Sequence, residues 1–160
     1  MPLLEPPSAP GDRSVRVNAM SNSTYDADFY AWANEQAALL RAGRLSDADI
    51  ANIAEEIESM GRSEKRALLS RLTVLLLHPL KWRFQPDRRS RSWEVSIANT
   101  RDDLTDHLAD NPSLKAVLPE SMSAAYRRAL RTAALETDLP ESTFPAGCPW
   151  TFEQAMQEGP

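Results

Sequence analysis

Apolar residues recur at helical spacing through most of this sequence, and this pattern constrains the fold more than any other feature. The widest apolar stripe lies between residues 63 and 77, where leucines occupy one broad face: Leu68, Leu69, Leu72, Leu75 and Leu76. A stripe of this width predicts a central helix with neighbours on several sides. Nowhere do apolar and polar residues alternate at the period of a strand for long enough to build a sheet. The sequence therefore predicts an all-α protein.

Capping and helix-breaking residues set the expected ends of the helices. Ser23 has the pattern of an N-cap for a first helix, and Gly43 and Gly61 are placed where glycines end helices. Pro79 lacks a backbone donor and disfavours a helical residue before it, so we expect a kink or a break there. These residues predict a bundle of about four longer helices plus short extra helices. The expected ranges are about 25–42, 46–61, 63–77, 90–109, 113–118, 119 onward and 151–157.

The 160 residues fit a single domain, with an unusual composition only at the start. Four prolines fall within the first ten residues, and this segment has no helical periodicity. We therefore expect residues 1–22 to form a flexible Pro-rich tail and residues 23–160 a single all-α domain. A single cysteine, no secretory leader pattern and no membrane-length apolar run indicate a cytoplasmic protein without a membrane partner.

Charge is strongly segregated along the chain, although the whole protein carries a net charge of only −5. Residues 25–60 have a net charge of −6, residues 61–101 of +7, and residues 102–160 of −6. The acidic total disfavours a dedicated nucleic-acid-binding protein, whereas the basic block leaves a local anion-binding surface open. The alternative is that the basic block pairs with acidic neighbours inside one bundle.

Several segments of the chain, taken together, are specific enough to identify a family. They are YDADFYAWANEQAALLRAG at 25–43, EEIESMGRSEKRALLSRL at 55–72, HPLKWRFQP at 78–86, RSRSWEVSI at 89–97, NPSL at 111–114 and FPAGCPW at 144–150. The chain resembles the bacterial domain-of-unknown-function family 29, common in cyanobacteria and proteobacteria, over about residues 25–156. The family pattern usually has leucine where this chain has Pro79. The resemblance implies an all-α fold, and it implies no reaction, cofactor or catalytic residue.

The basic block contains a loop in which cations alternate with aromatic residues. The cations are Lys81, Arg83, Arg88, Arg89 and Arg91, and the aromatic residues are Trp82, Phe84 and Trp93. Such a combination can hold phosphates and stack bases. We therefore predict a small, cytosolic, non-catalytic interaction protein that uses this loop to contact nucleic acid or an acidic protein partner. The alternative is that both tryptophans are core residues and the arginines pair with Glu56, Glu58 or Asp103.

A metal-dependent or acid/base enzyme is the competing hypothesis. Glu56 and Glu58 flank the apolar stripe of the predicted second helix, and His78 lies beside the stripe of the third. Glutamate and histidine side chains that face each other between helices can bind a metal or transfer protons. The Glu-x-x-His repeat of di-iron bundles is absent, however. The structural alternative is a Glu58–Arg62 pair at i,i+4 and a His78 side chain packed on Trp82.

Asp103 and His107 form a second candidate pair, because they lie four residues apart on one predicted helix. Such a pair can ligate a metal or orient a base, although it also occurs as surface decoration near a helix end. The candidate metal ligands are therefore Glu58, His78, Asp103 and His107. No cofactor is predicted beyond this alternative of a bound metal ion. A homodimer formed through an exposed apolar helix face is a further alternative.

Overall fold

The computed structural model describes residues 24–157 and 159, and this part of the chain contains helices, turns and loops but no strand. Its α-helices are α1 (Phe29–Arg41), α2 (Ile50–Phe84), α3 (Arg91–Asp110), α4 (Leu118–Thr137) and the short α5 (Phe152–Ala155). Short 3₁₀ helices connect them at Leu45–Asp47, Pro86–Arg88, Pro112–Val117 and Glu141–Thr143. The predicted all-α bundle of about four longer helices with short extras is confirmed. The predicted tail over 1–22 and the cap at Ser23 lie outside the described residues.

Helix α1 starts later than the sequence predicted, because a better cap lies inside the expected range. The Asp28 carboxylate accepts a hydrogen bond of 3.0 Å from the backbone N–H of Ala31, and Asp28 itself has a non-helical conformation. Residues 24–27 form a separate helical turn before it. The predicted end is confirmed, since Gly43 follows the helix with a φ of +70°, a conformation that favours glycine.

Helix α2 runs through Gly61 and Pro79 without interruption, so the predicted helix end at Gly61 and the predicted break at Pro79 are wrong. The alternative of a kink at Pro79 stays a prediction. A glycine in a helix costs only about 1 kcal/mol relative to alanine, and a proline about 3 kcal/mol. The leucine stripe stays buried on both sides of Pro79, which is buried itself. Each buried leucine contributes about 1.5–3 kcal/mol, so packing outweighs the missing backbone hydrogen bond. The predicted start at Ser46 is also wrong, because residues 45–47 form a 3₁₀ turn.

The chain divides into two compact units, an N-terminal unit over Met1–Gly61 and a C-terminal unit over Arg62–Pro160. The expected single domain over 23–160 stays a prediction. Within the C-terminal unit, the pairs Lys65–Glu120 (2.5 Å) and Lys81–Glu136 (2.6 Å) show that α2 and α4 run parallel. Helix α3 runs antiparallel to both, since the residue late in α3 that contacts Glu64 near the start of this unit is His107.

The core of the C-terminal unit consists of the apolar faces that the sequence predicted for these three helices. The predicted residues in this core are Leu104 and Leu108 on α3 and Met122, Ala125, Tyr126, Ala129 and Ala133 on α4. The predicted residues Ile97 and Thr100 of α3 are also buried. The segment after α4 completes the core with Phe144, Trp150 and Ala155, the last residue of α5. It is held by a 2.5 Å hydrogen bond from the Tyr126 hydroxyl to the backbone carbonyl of Pro145.

The N-terminal unit is a hairpin of α1 and residues 50–61 of α2, and polar contacts hold it together. The Trp32 indole N–H donates to the Asp49 carboxylate at 3.3 Å, and the backbone N–H of Asp49 donates to Gln36 at 2.8 Å. At the other end of the hairpin the Tyr25 hydroxyl donates to Glu56 at 2.5 Å. None of the helices within residues 24–157 is both long enough and apolar enough to cross a bilayer.

A glycine-to-alanine comparison tests whether α2 is continuous at residue 61. We expect Gly61→Ala to stabilise the protein by about 1 kcal/mol, since a Cβ there meets nothing within 4 Å and alanine favours a helix. Gly43→Ala is the control and should destabilise it by about 1 kcal/mol, because its φ is positive. Urea unfolding measures both changes. A Gly61→Ala protein that loses stability like the Gly43 variant would show that the helix ends at residue 61.

Candidate functional site

Lys81 differs from the other four predicted binding residues because the fold buries it. Its Nζ lies 2.6 Å from Oε2 of Glu136 on α4 and 4.7 Å from the ring centroid of Trp93 on α3. A buried ammonium requires a compensating carboxylate, and the aromatic face adds a cation–π contact. Lys81 therefore links α2, α3 and α4, and its positive charge is paired with Glu136 inside the C-terminal unit.

His78 lies one turn before Lys81 on α2 and is half-buried. Its Nδ1 is buried and has no hydrogen-bond partner among the described residues. Burial lowers the pKa of His78 below its ordinary value, the charge of Lys81 lowers it further, and Glu136 opposes the shift. The imidazole is therefore held neutral beside the Lys81–Glu136 pair. The suggested packing of His78 on Trp82 stays a prediction.

The arginine loop, defined here as residues 83–91, includes the last two residues of α2 and the first residue of α3. It carries the remaining four predicted binding residues, and all four are exposed: Arg83, Arg88, Arg89 and Arg91. The Arg89 guanidinium lies 4.9 Å from the Trp82 ring centroid and donates to the Trp82 carbonyl at 2.9 Å. Within residues 24–157, the guanidinium groups of Arg83, Arg88 and Arg91 take part in no ion pair or hydrogen bond, although that of Arg83 lies 5.9 Å from the Phe84 ring centroid. The loop therefore presents cationic groups that the described part of the fold does not neutralise.

His107, one member of the predicted Asp103 and His107 pair, contacts a residue of another helix. Nε2 of the buried His107 lies 2.7 Å from Oε2 of Glu64 on α2. Asp103 is exposed and lines a groove of about 560 Å³, together with Glu64, Arg71, Asp106, His107 and Asp110. Nδ1 of His107 is buried without a partner in the described structure, so it does not open into this groove. The Glu64 contact thus ties α3 to α2.

The residues of the hypothetical metal or acid/base site lie on one helix rather than on two. Glu56 and Glu58 are on α2 in the N-terminal unit, and His78 is on α2 in the C-terminal unit. Glu56 accepts the hydrogen bond from Tyr25, and this bond raises the pKa of Tyr25 to about 12. No group of three His, Cys, Asp or Glu residues able to hold a metal ion occurs among the described residues. The catalytic and metal roles of Glu56, Glu58, His78, Asp103 and His107 stay predictions.

The sequence did not predict the two carboxylates that contact His107 and Lys81, which are those of Glu64 and Glu136. Glu64 lies 43 residues from His107, and Glu136 lies 55 residues from Lys81. Spacing along the chain indicates neither contact, because both depend on how the helices align. The sequence also gave no indication of a second pocket of about 510 Å³, whose lining includes Lys115, Leu118, Met122, Trp150, Phe152 and Glu153.

The comparison with protein families agrees with this all-helical structure. Residues 24–159 match a family described as Domain of unknown function DUF29. This match covers nearly all of the described chain. The chain belongs to the DUF29 family. It matches no curated protein and no solved structure. In this DUF29 protein the arginine loop holds the exposed members of the predicted binding residues.

The two lysine–glutamate pairs between α2 and α4 differ in burial, so their contributions to the stability of this DUF29 protein can be compared. We expect Glu136→Gln to destabilise the fold by about 2 kcal/mol, because it leaves the buried Lys81 ammonium without a carboxylate. Glu120→Gln should have a much smaller effect, because both Lys65 and Glu120 are exposed. Urea unfolding of the two variants measures the difference. Equal losses of stability would contradict the structural role assigned to Lys81.

The protonation of His78 provides a second test. Since its folded pKa lies below the ordinary value of 6.5, neutral His78 contributes stability at higher pH, and this contribution is lost as the pH falls below 6.5 towards the folded pKa. In Lys81→Met the pKa of His78 should rise, because a nearby positive charge is removed while burial persists. NMR titration measures both values, with His107→Gln used to assign the signals. An unchanged pKa in Lys81→Met would exclude the electrostatic coupling.

Proposed function

We propose that this DUF29 protein is a non-catalytic interaction protein whose arginine loop contacts an acidic segment of a partner protein. The observation that carries the proposal is the contrast between Lys81 and the loop. Lys81 has a carboxylate and an aromatic ring arranged around it, whereas Arg83, Arg88 and Arg91 are exposed and have no ion pair within the described residues. Guanidinium groups bind carboxylates through two parallel hydrogen bonds, which suits them to an acidic peptide.

The contacts of the aromatic residues favour an acidic protein segment over nucleic acid. One face of Trp82 is covered by Arg89, and one face of Trp93 by Lys81. Base stacking requires an open aromatic face. These contacts therefore leave less of the two tryptophan rings beside the loop available to the bases of a single strand. The net charge of −5 also repels a long polyanion beyond the reach of the loop. A short acidic segment needs only the local positive charge.

The connection of the loop to the core supports the same function. Arg89 is fixed to the Trp82 carbonyl, and Trp82 follows directly after the buried Lys81 on α2. The arginines are therefore presented from the end of a packed helix, and a partner orders less of the chain when it binds. Asp87 and Glu94 lie in the same region, so a partner has to match a mixed pattern of charge rather than a uniform one.

Binding of a fluorescein-labelled poly-glutamate peptide tests the proposal, with a double-stranded and a single-stranded DNA as competing probes. We expect saturable peptide binding that weakens as salt is added, because the contacts are ionic and exposed. Arg88→Gln/Arg91→Gln should weaken it by about tenfold or more. Fluorescence anisotropy with the full chain measures each affinity.

Arg127→Gln/Arg128→Gln is the matched control, because it removes the same charge from exposed arginines in the middle of α4. Arg128 precedes Glu136 by eight residues, or about 12 Å along the helix, so this change should leave peptide binding intact. If both double variants weaken peptide binding equally, the effect comes from the net charge of the protein, which would contradict the assignment to the loop. Stronger binding of DNA, lost only in the Arg88/Arg91 variant, would identify nucleic acid as the partner instead. Absence of binding to every probe at low salt would refute the proposal.

A further inference from the structure

The N-terminal unit leaves large apolar side chains exposed. Of the ten exposed large apolar residues in the described part of the chain, seven belong to this unit. Three of them form a stripe on α2, where Ile50 is 52%, Ile57 64% and Met60 68% exposed. Isolated exposed apolar residues are common on protein surfaces, but a contiguous set indicates a binding surface. The apolar stripe is defined here as Ile50, Ile53, Ile57 and Met60.

The hairpin contacts explain why the apolar stripe is not covered by α1. The side of α2 that α1 contacts carries polar residues, with Asp49 bonded to Trp32 and Glu56 bonded to Tyr25. At about 100° per residue, the centre of the apolar stripe is rotated about 70° from the line through Asp49 and Glu56. Polar hydrogen bonds therefore hold the hairpin together, and the isoleucines remain available. Ile53 is half-buried, whereas Ile50, Ile57 and Met60 are exposed.

The spacing of the apolar stripe indicates the shape of its partner. Ile50, Ile53, Ile57 and Met60 follow one another at intervals of three, four and three residues. This alternation matches the first and fourth positions of a heptad, whose side chains pack against a second helix. An amphipathic helix that lies along the stripe would bury all four side chains.

Charge decides which helix fits. Residues 25–60 carry a net charge of −6, so a second copy would bring the same negative charge against itself. A helix with lysine or arginine beside its apolar face would instead meet complementary charge. We infer that the apolar stripe of the N-terminal unit binds a cationic amphipathic helix of a partner protein. This surface and the arginine loop have opposite charge, so the protein carries two sites with different partner chemistry.

A synthetic leucine/lysine amphipathic helix labelled with fluorescein tests the inference with the full chain. We expect saturable binding by fluorescence anisotropy. A leucine/glutamate helix with the same apolar spacing should bind at least about tenfold more weakly, because its charge is repelled. A leucine/lysine peptide of the same composition but scrambled spacing should also bind more weakly, because its apolar residues do not form one face. Equal binding of the scrambled peptide would overturn the helix assignment, and equal binding of the leucine/glutamate helix would overturn the assignment of a cationic partner.

Variants then locate the surface. Ile57→Gln/Met60→Gln should weaken binding of the leucine/lysine helix by about tenfold or more, while the net charge and the helical character of α2 are preserved. The matched control is Val95→Gln/Leu135→Gln, which removes two exposed apolar residues from the C-terminal unit. This control should bind as the unchanged protein does. Circular dichroism confirms that both variants remain helical.

Two other results would overturn the inference. If no leucine/lysine helix binds, or if the Ile57/Met60 variant binds as well as the control, the apolar stripe is not the site. If light scattering shows a dimer of the full chain that Ile57→Gln/Met60→Gln separates, the stripe is covered by a second copy, and the alternative of a homodimer replaces the cationic partner.

Discussion

The buried leucine face of α2 is the contact on which the rest of the C-terminal unit depends. Leu68, Leu72, Leu75, Leu76 and Leu80 are completely buried. They form the surface against which α3, α4 and the segment ending at Ala155 pack. The same face carries the helix through Pro79, because the burial free energy of its neighbours exceeds the cost of one missing hydrogen bond. A break there would have divided this face into two pieces.

Continuity of α2 also determines how the charges near its end are used. Because the helix extends to Phe84, Lys81 is brought beside Glu136 and Trp93, and His78 is kept neutral one turn earlier. The arginine loop begins only after these residues. One basic segment is thus divided by the fold into an internal part, which stabilises the bundle, and an external part, which is open to a partner.

The two units differ in how much of their apolar surface is buried, and this difference bears on the proposed binding surface of the N-terminal unit. In the C-terminal unit apolar faces meet each other, and the buried side chains of Lys81 and His107 contact carboxylates on neighbouring helices. In the N-terminal unit hydrogen bonds from Trp32 and Tyr25 hold the hairpin, while Ile57 and Met60 remain exposed. The buried Trp32 ring also packs against Tyr25 and Phe29, whereas the exposed side chains of Ile57 and Met60 are available for binding.

The sequence by itself determined the all-α class, the inner faces of α3 and α4, the end of α1 at Gly43 and the family, because these follow from local periodicity and local backbone preference. It placed the candidate binding residues in the right segment but could not separate Lys81 from its neighbours. Only the tertiary structure showed that α2 continues through Gly61 and Pro79 and that Glu64 and Glu136 supply the missing carboxylates. The physical reason is that packing between helices far apart in the sequence outweighs local backbone preferences of a few kcal/mol.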